Sequence, residues 1–224
     1  MVFLRINLML SRLSGLIRNS LPQTQQKQSA KRNIPALADQ ARLFDGDDHL
    51  FRREILSCQV YGEYGCGAST VWVAHHTNAK IVSVDSSAEW IAKVELETES
   101  YREKLHIDRV DLGEIAAWGY PTTYRYRSRF HDYVASPWRH GVKPDLVLID
   151  GRFRVACFLH SLLTAEPGTR LIFDDYNNRP HYHLVEEFCP VKEREGRQAL
   201  FLVPDQLDRS AIVVEAEHFL YVRD

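Results

Sequence analysis

The chain has 224 residues and a mass of 25.9 kDa, enough for one elaborated domain and too little for two independent cores. Hydrophobic residues make up 45% and charged residues 26%, and the formal charge is −2, so no global basic field is present to recruit nucleic acid or an anionic membrane. No apolar run reaches the ~18 residues that a transmembrane helix needs. The four cysteines, Cys58, Cys66, Cys157 and Cys189, show neither a CxxC pair nor zinc spacing. They suit a reducing compartment, and a cytoplasmic location is expected.

Residues 1–33 stand apart as a basic extension and linker, with the folded domain expected over 34–224. The extension has no Asp or Glu but carries Arg5, Arg12, Arg18, Lys27, Lys31 and Arg32. Removing those six from the 28 basic residues leaves 22 against 30 acids, so the rest of the chain sums to −8. Apolar residues recur near helical spacing from Phe3 to Ile17. A cationic amphipathic helix touching a membrane or partner, a transit-like presequence and a frayed extension all fit this pattern. From Leu21 to Asn33 the composition is that of a linker.

The domain then alternates strand and helix. His49–Cys58 reads as a short amphipathic helix, Gln59–Tyr64 as a strand entering a Gly-rich turn, and Ser69–His75 as a helix. Ala79–Asp85 is a second strand, Ser87–Leu105 a long helix, and His106–Leu112 a weaker third strand. Asp145–Asp150 is a strand whose continuous apolar run marks burial on both faces. Val155–Leu163 follows as a helix, Thr169–Phe173 as a strand and Tyr182–Phe188 as a helix. Gln198–Val203 and Ser210–Glu215 read as strands without a helix between them, and His218–Val222 as a further local pairing segment. The alternation predicts a three-layer α/β domain whose parallel sheet ends in an antiparallel C-terminal edge.

Gly113–Lys143 interrupts the rhythm. Its 31 residues include seven aromatics (Trp118, Tyr120, Tyr124, Tyr126, Phe130, Tyr133 and Trp138) and five basic residues against Glu114 and Asp132. A loop of this length within a domain is usually functional, and a lid over a crevice is expected. A satellite core with arginine heads in solvent is the competing reading.

The most informative stretch is Tyr61 to Thr70. A strand ending in Gly65-x-Gly67 and opening a helix lets the backbone pass close to a ligand, with helix-start amides available. The dinucleotide fingerprint needs another glycine where Thr70 stands, so that version is incomplete. Glu63 puts a carboxylate near the loop, unfavourable beside a pyrophosphate and favourable beside an ammonium or sulfonium. Asp85, at the end of the second strand, is placed to accept both hydroxyls of a ribose. A helix N-cap is its structural alternative.

Glu63-x-Gly65-x-Gly67, with Asp85 after strand two and Asp150 after strand four, resembles the class I S-adenosylmethionine-dependent methyltransferases over roughly residues 48–224. The family's usual third glycine falls at Ser69. The resemblance implies a Rossmann-like methyltransferase fold and S-adenosylmethionine as cofactor. Glu63, Gly65, Gly67 and Asp85 would then be the cofactor-binding residues, with Asp85 holding the ribose.

Asp150 and the run Asp174-Asp175-Tyr176-Asn177-Asn178 follow strands four and five, whose carboxyl ends face the crevice of a doubly wound sheet. Methyl transfer is an in-line displacement, so positioning supplies most of the acceleration and a hydroxyl acceptor also needs a proton taken. Asp150 and Asp175 are the catalytic candidates, with Asp174 and His181 beside them. Some O-methyltransferases of this class hold magnesium with two Asp and one Asn, for which Asn177 or Asn178 could be the third ligand. Arg152, Arg154, Arg179 and the loop arginines Arg125, Arg127 and Arg129 suggest an anionic or sugar-type small-molecule acceptor, with nucleic acid disfavoured. The competing functions are a nicotinamide-dependent oxidoreductase, which would have to explain Glu63, and a nucleotide-binding scaffold without turnover.

Overall fold

The computed structural model of the protein describes residues 42–224. The extension expected at 1–33 and its boundary with the domain lie outside the described residues.

Seven strands form one sheet: β1 (Val60–Tyr64), β2 (Lys80–Asp85), β3 (Leu105–Arg109), β4 (Leu146–Ile149), β5 (Arg170–Phe173), β6 (Val191–Glu195) and β7 (Gln198–Leu202), in the order β3-β2-β1-β4-β5-β7-β6. The first five are mutually parallel, and β7 runs antiparallel between β5 and β6. The helices are α1 (His49–Ile55), α2 (Ala68–His76), α3 (Ala88–Glu97), α4 (Phe130–Ala135), α5 (Arg154–Thr164) and α6 (Arg209–Phe219). This is the expected mostly parallel α/β domain with an antiparallel edge.

The period of two in β4 divides the core. Leu146 and Leu148 pack with Leu50, Phe51 and Ile55 of α1 and Val73 and Ala74 of α2. Val147 and Ile149 face the opposite layer, with Phe130 and Tyr133 of α4, Phe158 and Leu162 of α5 and Ile212 of α6. Every β4 residue is fully buried, which explains its unbroken apolar run. From β1 the chain winds outward through β2 to β3, then crosses back to lay β4 on the other side of β1. The strand order therefore reverses between β1 and β4, and the crevice of such a sheet opens at the carboxyl ends of those strands.

Four expectations need correction. The helix expected over Ser87–Leu105 ends at Glu97, and Leu105 already belongs to β3. The Thr98 hydroxyl donates to the Val94 carbonyl at 2.7 Å, a local bond that competes with helix continuation, and a 3-10 stretch covers Glu99–Lys104. The strand expected at Ser210–Glu215 and the pairing segment at His218–Val222 are instead α6 and the turn after it. Asp208 caps this helix by accepting from the Ala211 amide at 3.0 Å, and Ile212 is buried in the core. The cap and that anchor outweigh the strand preference of Ile212-Val213-Val214. The strand that pairs with β7 is Val191–Glu195, whose charged residues concealed it. Charges on an edge strand discourage pairing with another chain. The helix expected at Tyr182–Phe188 is a 3-10 stretch, Pro180–Glu187.

Candidate active site

The loop after β1 is built on Gly65, whose φ of +89° lies in the left-handed region that favours glycine. A Cβ here would sit 2.8 Å from Gly151 Cα, and one on Gly151 would meet Tyr133 Oη at 2.2 Å and Gly65 N at 2.9 Å. The loops after β1 and β4 therefore touch backbone to backbone. Gly67 differs: its backbone is extended, and a Cβ would meet only Trp90 Nε1, at 3.6 Å. The indole N–H of Trp90 donates to the Cys66 carbonyl at 2.6 Å and holds the far side of the loop.

Glu63 lies beneath this loop, fully buried, and its carboxylate accepts hydrogen bonds from the hydroxyls of Ser69 and Thr70. The Thr70 hydroxyl oxygen also accepts from the Gly67 amide at 2.8 Å. Glu63 thus fixes the start of α2 through two side chains. Burial pushes its carboxyl up to about 7, against the lowering effect of those hydroxyls. Asp85 closes β2, its Oδ1 accepting from the Ser87 amide at 2.8 Å. Burial raises its carboxyl, with backbone N–H groups and the charge of Arg152 pulling the other way. Arg152 itself has a buried Nε without a partner.

Beyond β4 and β5 lies a denser charge cluster. Carboxylate oxygens of Asp150, Asp174 and Asp175 converge within 4.8 Å of one another. The guanidinium of Arg154 staples them: it donates to Asp150 Oδ1 at 2.8 Å, to the Asp174 carbonyl at 2.8 Å and to the Gly151 carbonyl at 3.1 Å, and lies 3.3 Å from Asp175 Oδ2. Asp174 is fully buried and receives Arg197 and the Gln198 amide. Asp175, held at φ +59°, pairs with Arg179 at 2.7 Å and with Arg197. Burial and the neighbouring Asp174 charge push the Asp150 carboxyl up to about 8, against Arg154.

Gly65, Gly67 and Asp85 thus share one side of the crevice, and Asp150, Asp174 and Asp175 the other. Arg154 is buried inside the cluster, which removes it from the arginines available to an acceptor. Arg129 is likewise paired, with Asp111 at 2.8 Å. Tyr133, Trp90 and Arg197 were not found by sequence reasoning. Arg197 carries no local signal, because Asp174 and Asp175 reach it only when the β6–β7 turn folds back on β5.

The insertion is part core and part surface. Phe130, Tyr133, Val134 and Ala135 of α4 are buried, whereas Trp118 is 90% exposed. Its first half reaches the end of β2, where the Ser86 hydroxyl donates to the Gly119 carbonyl at 3.3 Å.

The sequence matches no family model and no curated protein. Among solved structures, a methyltransferase-like protein from Silicibacter pomeroyi DSS-3 is 30% identical, with a TM-score of 0.70 over 76% of this chain and 91% of the other. More distant are the N-methyltransferase NodS from Bradyrhizobium japonicum WM9 (15% identity, TM-score 0.47, 76% of this chain and 95% of the other) and the O-methyltransferase TomG from Streptomyces achromogenes (16%, TM-score 0.47, 70% and 77%). The sheet order, reversing between β1 and β4, defines a Rossmann-like domain, and sheets of this kind take their ligands at that switch point. The chain belongs to the class I S-adenosylmethionine-dependent methyltransferase family.

Proposed function

We propose that the protein transfers a methyl group from S-adenosylmethionine to a hydroxyl of a small-molecule or sugar-type acceptor in the cytoplasm. The observation that carries this reading is the placement of Asp150 at the end of β4, beside the Gly65–Gly67 loop after β1 and Asp85 at the end of β2, where the strand order reverses.

The residues fit the cofactor. Space stands where a Gly67 Cβ would be, and the unpartnered Arg152 Nε near Asp85 is a donor open to an anionic oxygen. When bound, the cofactor supplies an electrophilic methyl on a sulfonium that departs as a neutral thioether. Asp85 accepts the ribose hydroxyls. Gly67 lets the backbone approach, and Glu63 holds the loop through Ser69 and Thr70. Asp150 is the group that would take the proton of an acceptor hydroxyl, and a carboxyl pKa near the working pH suits that role. Asp175 orients the acceptor on the far side, pinned by Arg154, Arg179 and Arg197.

Magnesium does not fit this carboxylate group. Asp150, Asp174 and Asp175 are already balanced by three guanidinium groups, and the Asn177 amide donates to the Gly196 and Gln198 carbonyls.

Calorimetry of the full chain with S-adenosylmethionine and with NAD tests the cofactor, and S-adenosylmethionine alone is expected to bind. NAD binding, or no binding of either, overturns the reading. With an acceptor in hand, turnover is expected to persist in EDTA and to collapse in Asp150→Asn.

A further inference from the structure

We propose that His106, Asp108 and His140 form a binding site for a divalent transition-metal ion, zinc by the chemistry of its ligands, at the outer edge of the sheet. β3 is the edge strand, and His106 and Asp108 stand two residues apart on it, so their side chains leave the same face. His140 comes from the returning end of the insertion, just after the 3-10 turn Ser136–Trp138. His106 Nε2 lies 2.9 Å from Asp108 Oδ1, and His140 Nε2 lies 2.9 Å from Asp108 Oδ2. The two imidazole rings are 4.1 Å apart, centre to centre, and one donor atom from each of the three residues falls within 4.8 Å of the others.

Two histidines that aim the same ring nitrogen at one carboxylate present three convergent donors. Tetrahedral zinc with bonds of about 2.0–2.2 Å needs its donors roughly 3.4 Å apart, so on binding each 2.9 Å histidine–carboxylate separation would widen by about half an ångström. Imidazole and carboxylate together favour zinc and its first-row neighbours over magnesium or calcium. The Ser136 hydroxyl donates to Asp108, the kind of outer contact that orients a ligating carboxylate. The side chains of His106, Asp108 and His140 are 55%, 31% and 22% exposed, which leaves a path for the ion and room for a water in the fourth position.

The position gives such a site a purpose. Arg129 and Asp111 already tie the middle of the insertion to the segment after β3. A metal at His140 would fix its returning end as well, and between the two anchors lies α4, whose Tyr133 packs against Gly151 at the crevice. The site is separate from the Asp150 cluster and does not depend on the proposed methyl transfer.

The test uses the full chain, stripped by a chelator and titrated with Co²⁺, with the visible d–d absorption as readout and Zn²⁺ as displacing ion. One equivalent of Co²⁺ is expected to give the intense bands of a low-symmetry, nitrogen-ligated site, and Zn²⁺ to abolish them and raise Tm. His140→Ala and His106→Gln are each expected to weaken binding at least tenfold. His106→Gln keeps a hydrogen-bond donor for Asp108 on an exposed edge, so it stays informative if the other variant misfolds. Asp150→Asn is expected to leave the bands unchanged. Absence of bands and of a Tm shift, bands of equal affinity in the histidine variants, or bands lost in Asp150→Asn would each overturn the site.

Discussion

Two glycines in one motif have different reasons to be there, and single substitutions separate them. Gly65 is required by the fold, through its positive φ and its contact with Gly151. Gly65→Ala is expected to destabilise by more than about 1 kcal/mol in a urea melt, because both strain and overpacking oppose it. Gly67 meets neither constraint, so Gly67→Ala should melt within about 0.5 kcal/mol of the wild type yet weaken S-adenosylmethionine binding in calorimetry. Unchanged affinity in that variant would mean the ligand does not approach the loop. Asp85→Asn keeps an acceptor for the Ser87 amide and loses the charge, so affinity should fall roughly tenfold to a hundredfold with the fold intact. A variant that binds as tightly as the wild type would leave Asp85 as a turn residue only. The spacing of the motif located the crevice. Which glycine serves the backbone depends on Gly151, 86 positions beyond Gly65, and no local pattern carries that.

Elements were legible where burial imposes one period and illegible where two influences compete. β2, β4 and β5 sit inside the sheet, and their largely apolar runs show it, while β1 is marked by the Gly-rich turn it enters. β6 alternates half-buried and exposed residues, four of its five charged, so its sequence looks like a loop, and α6 carries β-branched residues on an exposed face, so it looks like a strand. The cap is what commits α6: Asp208→Ala should cost about 1 kcal/mol, and a urea midpoint equal to wild type would show that packing alone suffices. The insertion is anchored from outside by the segment after α6. Tyr124 donates to the Tyr221 carbonyl at 3.1 Å, Arg223 donates to the Pro121 carbonyl at 2.7 Å, and Asp224 accepts from the Arg154 amide at 3.0 Å. Deleting residues 221–224 should therefore speed tryptic cutting at Arg125 and Arg127, and S-adenosylmethionine should slow it in the intact chain if the exposed half closes on the crevice. Equal rates in all three samples would make the insertion a rigid part of the core.

Across the whole molecule, the crevice concentrates charge that the fold holds in place at some expense. Three arginines brought in by α5, the segment after β5 and the β6–β7 turn neutralise three carboxylates at the ends of β4 and β5. Burial nevertheless leaves three acids raised: Asp85, Glu63 up to about 7 and Asp150 up to about 8. A group whose folded pKa exceeds its unfolded one binds more proton when folded. Its contribution is complete below the unfolded pKa and is lost as pH rises through the folded value. Stability should therefore fall between the ordinary carboxylate range and about pH 8. His160 acts in the opposite sense: burial lowers it to about 4, so its contribution grows with pH up to the ordinary histidine range. Above about pH 7 that term is complete, and the remaining slope is shared by Asp150 and the four buried cysteines, whose thiols burial also pushes up, so the Asp150 part is read from the difference between wild type and a variant at that position. Asp150→Asn keeps an acceptor for Arg154 and removes the titration. Wild-type Tm is expected to drop from about pH 7 to about pH 9 more steeply than that of Asp150→Asn, with the variant gaining relative to wild type across the interval. Parallel Tm profiles for the two proteins would show that Asp150 is already ionised at neutral pH, and would remove it as the group that takes the acceptor's proton near its own pKa.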